Sequence, residues 1–149
     1  MDLQTIVRRT RLPPRRLRYV LDHEMIPGLK IILAENAGGQ PRTFSEYDGY
    51  RIACAGALLE AGMKREPAAQ FVAALAKLAW TGGRFLELVF ASKKKAFARL
   101  GDGQAFQVHF GSGSIGWTRI DGLADLAGGF KPRATVELDL ASLRDDLRG

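Results

Sequence analysis

Arg8-Arg9-Thr10-Arg11-Leu12-Pro13-Pro14-Arg15-Arg16-Leu17-Arg18-Tyr19 sets six arginines among regularly spaced apolar residues, with two prolines at its centre. Outward from the prolines, Leu3, Ile6 and Val7 recur at i, i+3, i+4 on one side, and Leu17, Val20 and Leu21 on the other. The spacing predicts two short amphipathic helices joined by a tight turn. Asp2 suits the cap of the first, about 3–10, and Pro14 the first position of the second, about 14–24. The second helix turns Leu17, Val20 and Leu21 inward, leaving Arg15, Arg16, Arg18, Tyr19, Asp22 and His23 outward or on its flanks, and Pro27-Gly28 reads as its stop. Over residues 1–19 the six arginines face one carboxylate, Asp2. Charge this dense on so small a helical pair suits a polyanion better than a small substrate.

Further along, Leu29–Ala34 is a β-branched run, Gly38-Gly39 a turn and Pro41-Arg42-Thr43-Phe44 a second extended segment. Together they predict a β-hairpin, a wing at about 29–44. Ser45 followed by Asp48 imitates a capping box and starts a helix to about Ala61, where Gly62 can supply a left-handed cap. Tyr50, Cys54, Ala57, Leu58 and Ala61 form its apolar face, and Ala53, Ala55, Gly56 and Ala57 are small enough to admit another helix. Pro67 opens a further helix to about Trp80, with Phe71, Leu75 and Leu78 inward and Thr81-Gly82-Gly83 ending it. Residues 84–95 fit helix or strand, and helix is preferred. Glycine-rich turns then separate short segments at 96–100, 105–110, 116–120 and 134–140, before one closing helical turn at 142–147. Phe106, Phe110, Trp117 and Phe130 are the large apolar residues here and read mostly as core, while Lys93-Lys94-Lys95 reads as solvated surface. The fold class expected is α+β: an N-terminal winged helix-turn-helix with additional helices over 1–80, then a small β-rich region over 81–149.

The chain has 149 residues, 46% of them hydrophobic and 26% charged, ordinary values for a globular chain long enough to bury a core. Net charge +6 and a pI near 9.8 favour nucleic acid as partner, with an anionic membrane surface second. The membrane reading is weak, because no stretch approaches the roughly 18 uninterrupted apolar residues of a spanning helix. Asp2 and the early arginines precede no apolar segment, so no secretory signal is expected and the localisation read is cytoplasmic. The single cysteine, Cys54, excludes an internal disulfide and a thiolate-rich metal site, and its alanine-rich surroundings suggest an inert buried thiol. His23 and His109 lack metal-ligand spacing, so no metal and no cofactor are expected. No enzyme is expected either: Ser112, Ser114, His109, Asp121 and Asp125 have no nucleophile-elbow context, phosphate-loop signature or metal spacing, and Gly111–Ser114 reads as a turn.

Residues 3–62 resemble the MerR-type winged-helix DNA-binding domain of bacterial transcription regulators. Leu3-Gln4-Thr5-Ile6-Val7-Arg8-Arg9-Thr10 corresponds to that family's first helix, and Pro14-Arg15-Arg16-Leu17-Arg18-Tyr19 to its Pro-Arg-Thr-Leu-Arg-Tyr recognition helix. Met25-Ile26-Pro27 stands at the family's exit, Arg42-Thr43-Phe44-Ser45-Glu46-Tyr47-Asp48 matches the segment leading out of the wing, and Leu59-Glu60-Ala61-Gly62-Met63 resembles the end of the third helix. The resemblance implies phosphate contacts for Arg18 and Tyr19, base contact for Arg16, and DNA contact for Arg42. Arg15 joins them as a basic residue at the start of the recognition helix. Three positions depart: Arg11 and Glu24 replace glycines and Val20 a tyrosine. At Arg11 the turn either changes shape or holds a strained residue, at roughly 1 kcal/mol. No long heptad helix follows residue 80, so the pairing coiled coil of the family is absent or replaced.

The function expected is therefore a sequence-specific regulator binding double-stranded DNA as a homodimer, its C-terminal region serving dimerisation or a small-molecule or protein effector. The alternatives are an excisionase-like DNA-architectural factor, or a protein-interaction or ligand-sensing module with a vestigial winged helix. Residues 135–149 carry Arg144 and Arg148 against Glu137, Asp139, Asp145 and Asp146, which suits a tail facing away from DNA.

Overall fold

The computed structural model describes residues 1–29, 42–122, 124–126 and 129–149 as a mixed α+β chain. α1 (Leu3–Thr10) starts at Asp2, whose carboxylate accepts from the Thr5 amide at 2.8 Å and hydroxyl at 2.7 Å. It ends at Arg11, which takes up the left-handed conformation (φ 61°) while its amide donates to the Val7 carbonyl. The turn thus holds a strained residue at Arg11. α2 (Pro14–Asp22) follows, with Pro14 in its first turn, where no amide partner is needed. It ends two residues before the expected limit. Glu24 (φ 49°) reverses the chain, its amide bonding the Leu21 carbonyl and the Met25 amide the Val20 carbonyl. This two-bond left-handed cap stops the helix ahead of Pro27-Gly28.

Residues 30–41, the bulk of the expected hairpin, lie outside the described residues. Its last stretch is described: Thr43 bridges Asp2 in antiparallel fashion, the Phe44 amide donates to the Met1 carbonyl, and the Met1 nitrogen donates to the Phe44 carbonyl.

α3 (Glu46–Glu60) is capped by the Ser45 hydroxyl, which accepts from the Asp48 amide at 3.0 Å, and is closed by Gly62 at φ 93°. The expected apolar stripe is too narrow. Burial runs nearly all round the helix, through Tyr50, Ile52, Ala53, Cys54, Ala55, Leu58 and Leu59, while Ala61 is exposed. The physical reason is position: α3 is packed by α1 and α2 and by four later elements. A Cβ on Gly56 would stand 2.7 Å from Leu17 Cδ2, so the bare backbone there sets how closely α2 approaches.

α4 (Arg65–Lys77) begins before Pro67, which sits in the first turn, where its missing N–H costs nothing. It stops at Lys77, not Trp80. Leu78 turns extended (ψ 123°), and β1 (Ala79–Trp80) pairs antiparallel with β2 (Gly83–Arg84) around Gly82 at φ 97°. α5 (Phe85–Ala91) makes helix of the ambiguous segment up to Ala91.

Four strands then form an antiparallel sheet: β3 (Ala96–Gly101), β4 (Ala105–Phe110), β5 (Gly113–Arg119) and β6 (Thr135–Asp139), in the order β5-β4-β3-β6. β5 starts three residues earlier than expected, because the turn needs only Gly111 (φ 61°) and Ser112. Ala96, Ala98, Leu100, Phe106, Val108 and Leu138 are buried on one face of this sheet. On the other, Phe97 stacks on His109 and Trp117 meets Phe130 edge-on. α6 (Leu140–Arg148) lengthens the expected closing turn and buries Leu140, Leu143 and Leu147 against α1, α3 and α5. One hydrophobic cluster runs from Ile6 to Leu147 and joins the N-terminal helices to the sheet. Among the described residues, no helix is long and apolar enough to cross a membrane.

Candidate nucleic-acid interface

The opposite faces of α2 have opposite fates. Leu17 and Val20 are buried against the core, which orients the helix about its axis. Arg15, Arg18, Tyr19 and Asp22 then share the outward face at i, i+3, i+4, i+7, and all four are exposed. Tyr19 is 37% exposed and stacks on His23, ring centroids 3.9 Å apart, with His23 Nδ1 3.1 Å from the Tyr19 carbonyl oxygen. The stack holds the phenol flat along the helix surface.

Arg8 joins this face from α1. With Arg18 it borders a shallow cleft of about 300 Å³, lined also by Leu3, Val7 and Pro14. Among the described residues, Arg11, Arg15, Arg18 and Arg42 enter no ion pair. A cationic surface whose guanidinium groups lack carboxylate partners is disposed to take anions from solution.

Two arginines of the opening stretch go elsewhere. Arg9 turns to α6 and donates to the Leu147 carbonyl, an unpaired acceptor at the negative end of that helix. Arg16 leans toward α3, and its Nε donates to Glu60 Oε2 at 3.0 Å. Of the five residues read from the sequence, Arg15, Arg18 and Tyr19 lie together, Arg16 sits on the flank in an ion pair, and Arg42 stands apart. Arg42 is exposed beside the Asp2–Thr43 bridge and lines a hollow with Leu21 and Glu24, at the C-terminal end of α2. Arg8 lies outside those five residues, and the packing of α1 on α2 brings it beside Arg18. Glu60 left no local signal, since it lies 44 residues from Arg16.

Burial perturbs three titratable groups away from this surface. Burial pushes the Cys54 thiol well above its usual range, so it stays protonated within the core. Burial likewise raises Tyr47 to about 12 and Tyr50 further, and the Tyr50 hydroxyl donates to the Leu140 carbonyl at 2.7 Å. Among the described residues, no group of three or more His, Cys, Asp or Glu side chains is placed to hold a metal ion. Comparisons with protein-family profiles, curated protein sequences and solved structures give no match for this chain.

Proposed function

We propose that the chain is a sequence-specific regulator that binds double-stranded DNA through a MerR-like winged helix-turn-helix, with α2 in the major groove. One observation carries the reading: an outward face of Arg15, Arg18 and Tyr19 on a helix whose other face is fixed in the core. A major groove about 12 Å wide admits one helix, and guanidinium groups along it reach phosphates and guanine edges. Arg8 adds a cation beside Arg18, and Arg42, exposed near the C-terminal end of α2, is proposed to add a contact at the edge of the bound duplex. Because one such unit covers few base pairs, two copies bound symmetrically is the assembly that fits.

Direct titration of duplex DNA at several salt concentrations tests this. Affinity is expected to fall steeply with salt, and Arg18→Ala to weaken every duplex while flattening the log–log slope by about 0.9. Arg16→Ala is expected to blur preference at particular base pairs. Salt-insensitive binding, or parent-like behaviour of both variants, would falsify the assignment of α2 as the recognition helix.

A further inference from the structure

Arg16 carries five N–H donors in one rigid plane, and α3 occupies only the innermost of them. Its Nε donates to Glu60 Oε2 at 3.0 Å, while Nη1 and Nη2 have no partner among the described residues. Both side chains remain partly in solvent, 36% and 43% exposed, so the fork is reachable. Glu60 is the last residue of α3, and α3 is the buried centre of the helical packing, so this carboxylate projects from a rigid support.

We infer that Glu60 is a positioning residue for Arg16, an inference that rests on the DNA-binding reading above. Holding Nε fixes the plane of the guanidinium and leaves the Nη pair to span the N7 and O6 acceptors of one guanine in the major groove. An arginine without that restraint samples many rotamers and finds phosphates as readily as bases. The Glu60 carboxylate acts a second way, by repelling phosphates near α2 and so penalising binding that lacks the matching base. Glu60 thus sets base preference at one position of the bound duplex. Exposed pairs of this kind contribute little to folding, so substitutions here leave the fold intact.

The test selects bound molecules from a random-sequence duplex DNA pool, using the full chain, Arg16→Ala, Glu60→Ala, Glu60→Gln and the double alanine variant. Affinities for the enriched duplex and for a scrambled one are then measured at one salt concentration. Glu60→Ala is expected to lose preference at the same base pair as Arg16→Ala, with discrimination down about tenfold, while binding scrambled duplex as tightly as the parent or tighter. The double variant is expected to discriminate no worse than Arg16→Ala alone, since the two act through one contact. Glu60→Gln keeps an acceptor oxygen and is expected to retain much of the preference. A Glu60→Ala variant with the parent's base preference, or one weakened equally toward both duplexes, overturns the inference while leaving the DNA-binding reading standing. A parent that enriches no duplex overturns the DNA-binding reading itself, and the role of Glu60 with it.

Discussion

Two residues that are not glycine, Arg11 and Glu24, occupy left-handed backbone at the two ends of α2, with φ of 61° and 49°. A side chain at such a position costs about 1 kcal/mol, and glycine avoids it. Arg11 is exposed and its side chain enters no ion pair among the described residues, while its capping amide bond to Val7 would be kept by glycine, so no ion pair of the side chain offsets that strain. Arg11→Gly is therefore expected to stabilise the chain by about 0.5–1 kcal/mol, read as a rise of a few degrees in melting temperature. Under the DNA-binding reading the same variant binds duplex less tightly, because it removes a cation next to α2. A variant both less stable and unchanged in binding would contradict this account. That both positions stand where the resemblance puts glycine was legible from the sequence; whether the backbone would stay left-handed at Arg11 was not, because that depends on how α1 and α2 are both held by α3.

Caps and periodicity decide single elements. The Thr5 hydroxyl and amide bonds, in that order, hold the Asp2 carboxyl below its ordinary value of 3.8. A carboxylate with a lowered folded value stabilises the fold at pH above its unfolded value, and that contribution fades as pH falls through the folded one. Asp2→Ala is expected to cost about 1 kcal/mol at neutral pH, measured by urea denaturation, with the gap from the parent narrowing below about pH 4. Asp2→Asn keeps a capping oxygen and is expected to remove most of the pH dependence. A cost that is the same at pH 7 and pH 3 would show that the carboxylate charge is not what stabilises α1. The signals that misled were also local. Pro67 reads as a helix start but is tolerated within the first turn of α4, and Gly113-Ser114 reads as turn but continues as strand β5. A shift in register between Phe106 and Val108 accommodates that longer strand against β4.

At the scale of the molecule, Arg144 joins the C-terminal helix to the rest of the chain. Its side chain is 1% exposed, and Nη1 donates to the Val89 carbonyl at 3.1 Å and the Lys94 carbonyl at 2.8 Å, with Ser92 Oγ at 3.3 Å. These oxygens end α5 and lead into β3, so one guanidinium ties three elements. Asp145, its carboxylate neighbour, is 65% exposed and contributes mainly by orienting Nε. Arg144→Ala leaves the Lys94 carbonyl without this donor, while the Val89 carbonyl still accepts from Ser92, and opens a cavity; it is expected to cost about 3 kcal/mol by denaturant titration. Arg144→Lys is expected to recover little, since an ammonium cannot reach all these acceptors at once. A loss below about 1 kcal/mol for Arg144→Ala would mean that α6 docks through its leucines and its other hydrogen bonds without needing Arg144.

By itself, the sequence determined most of the helices, the larger sheet's strands and which way α2 faces, but not the β1–β2 pair or several element ends, because capping oxygens, prolines and apolar spacing act over a few neighbouring residues. It also marked Arg15, Arg16, Arg18 and Tyr19 as a group, of which Arg15, Arg18 and Tyr19 share one exposed face. Only tertiary structure decided that Arg16 answers to Glu60, that Arg9 turns to α6, and that Arg144 is buried within the core and not spread on an acidic tail. Those partners lie 44, 138 and about 50 residues away along the chain. Which of several arginines meets a given carbonyl or carboxylate is settled by the packing of α2, α3, α5 and α6, where burial selects among contacts that are equal in local sequence.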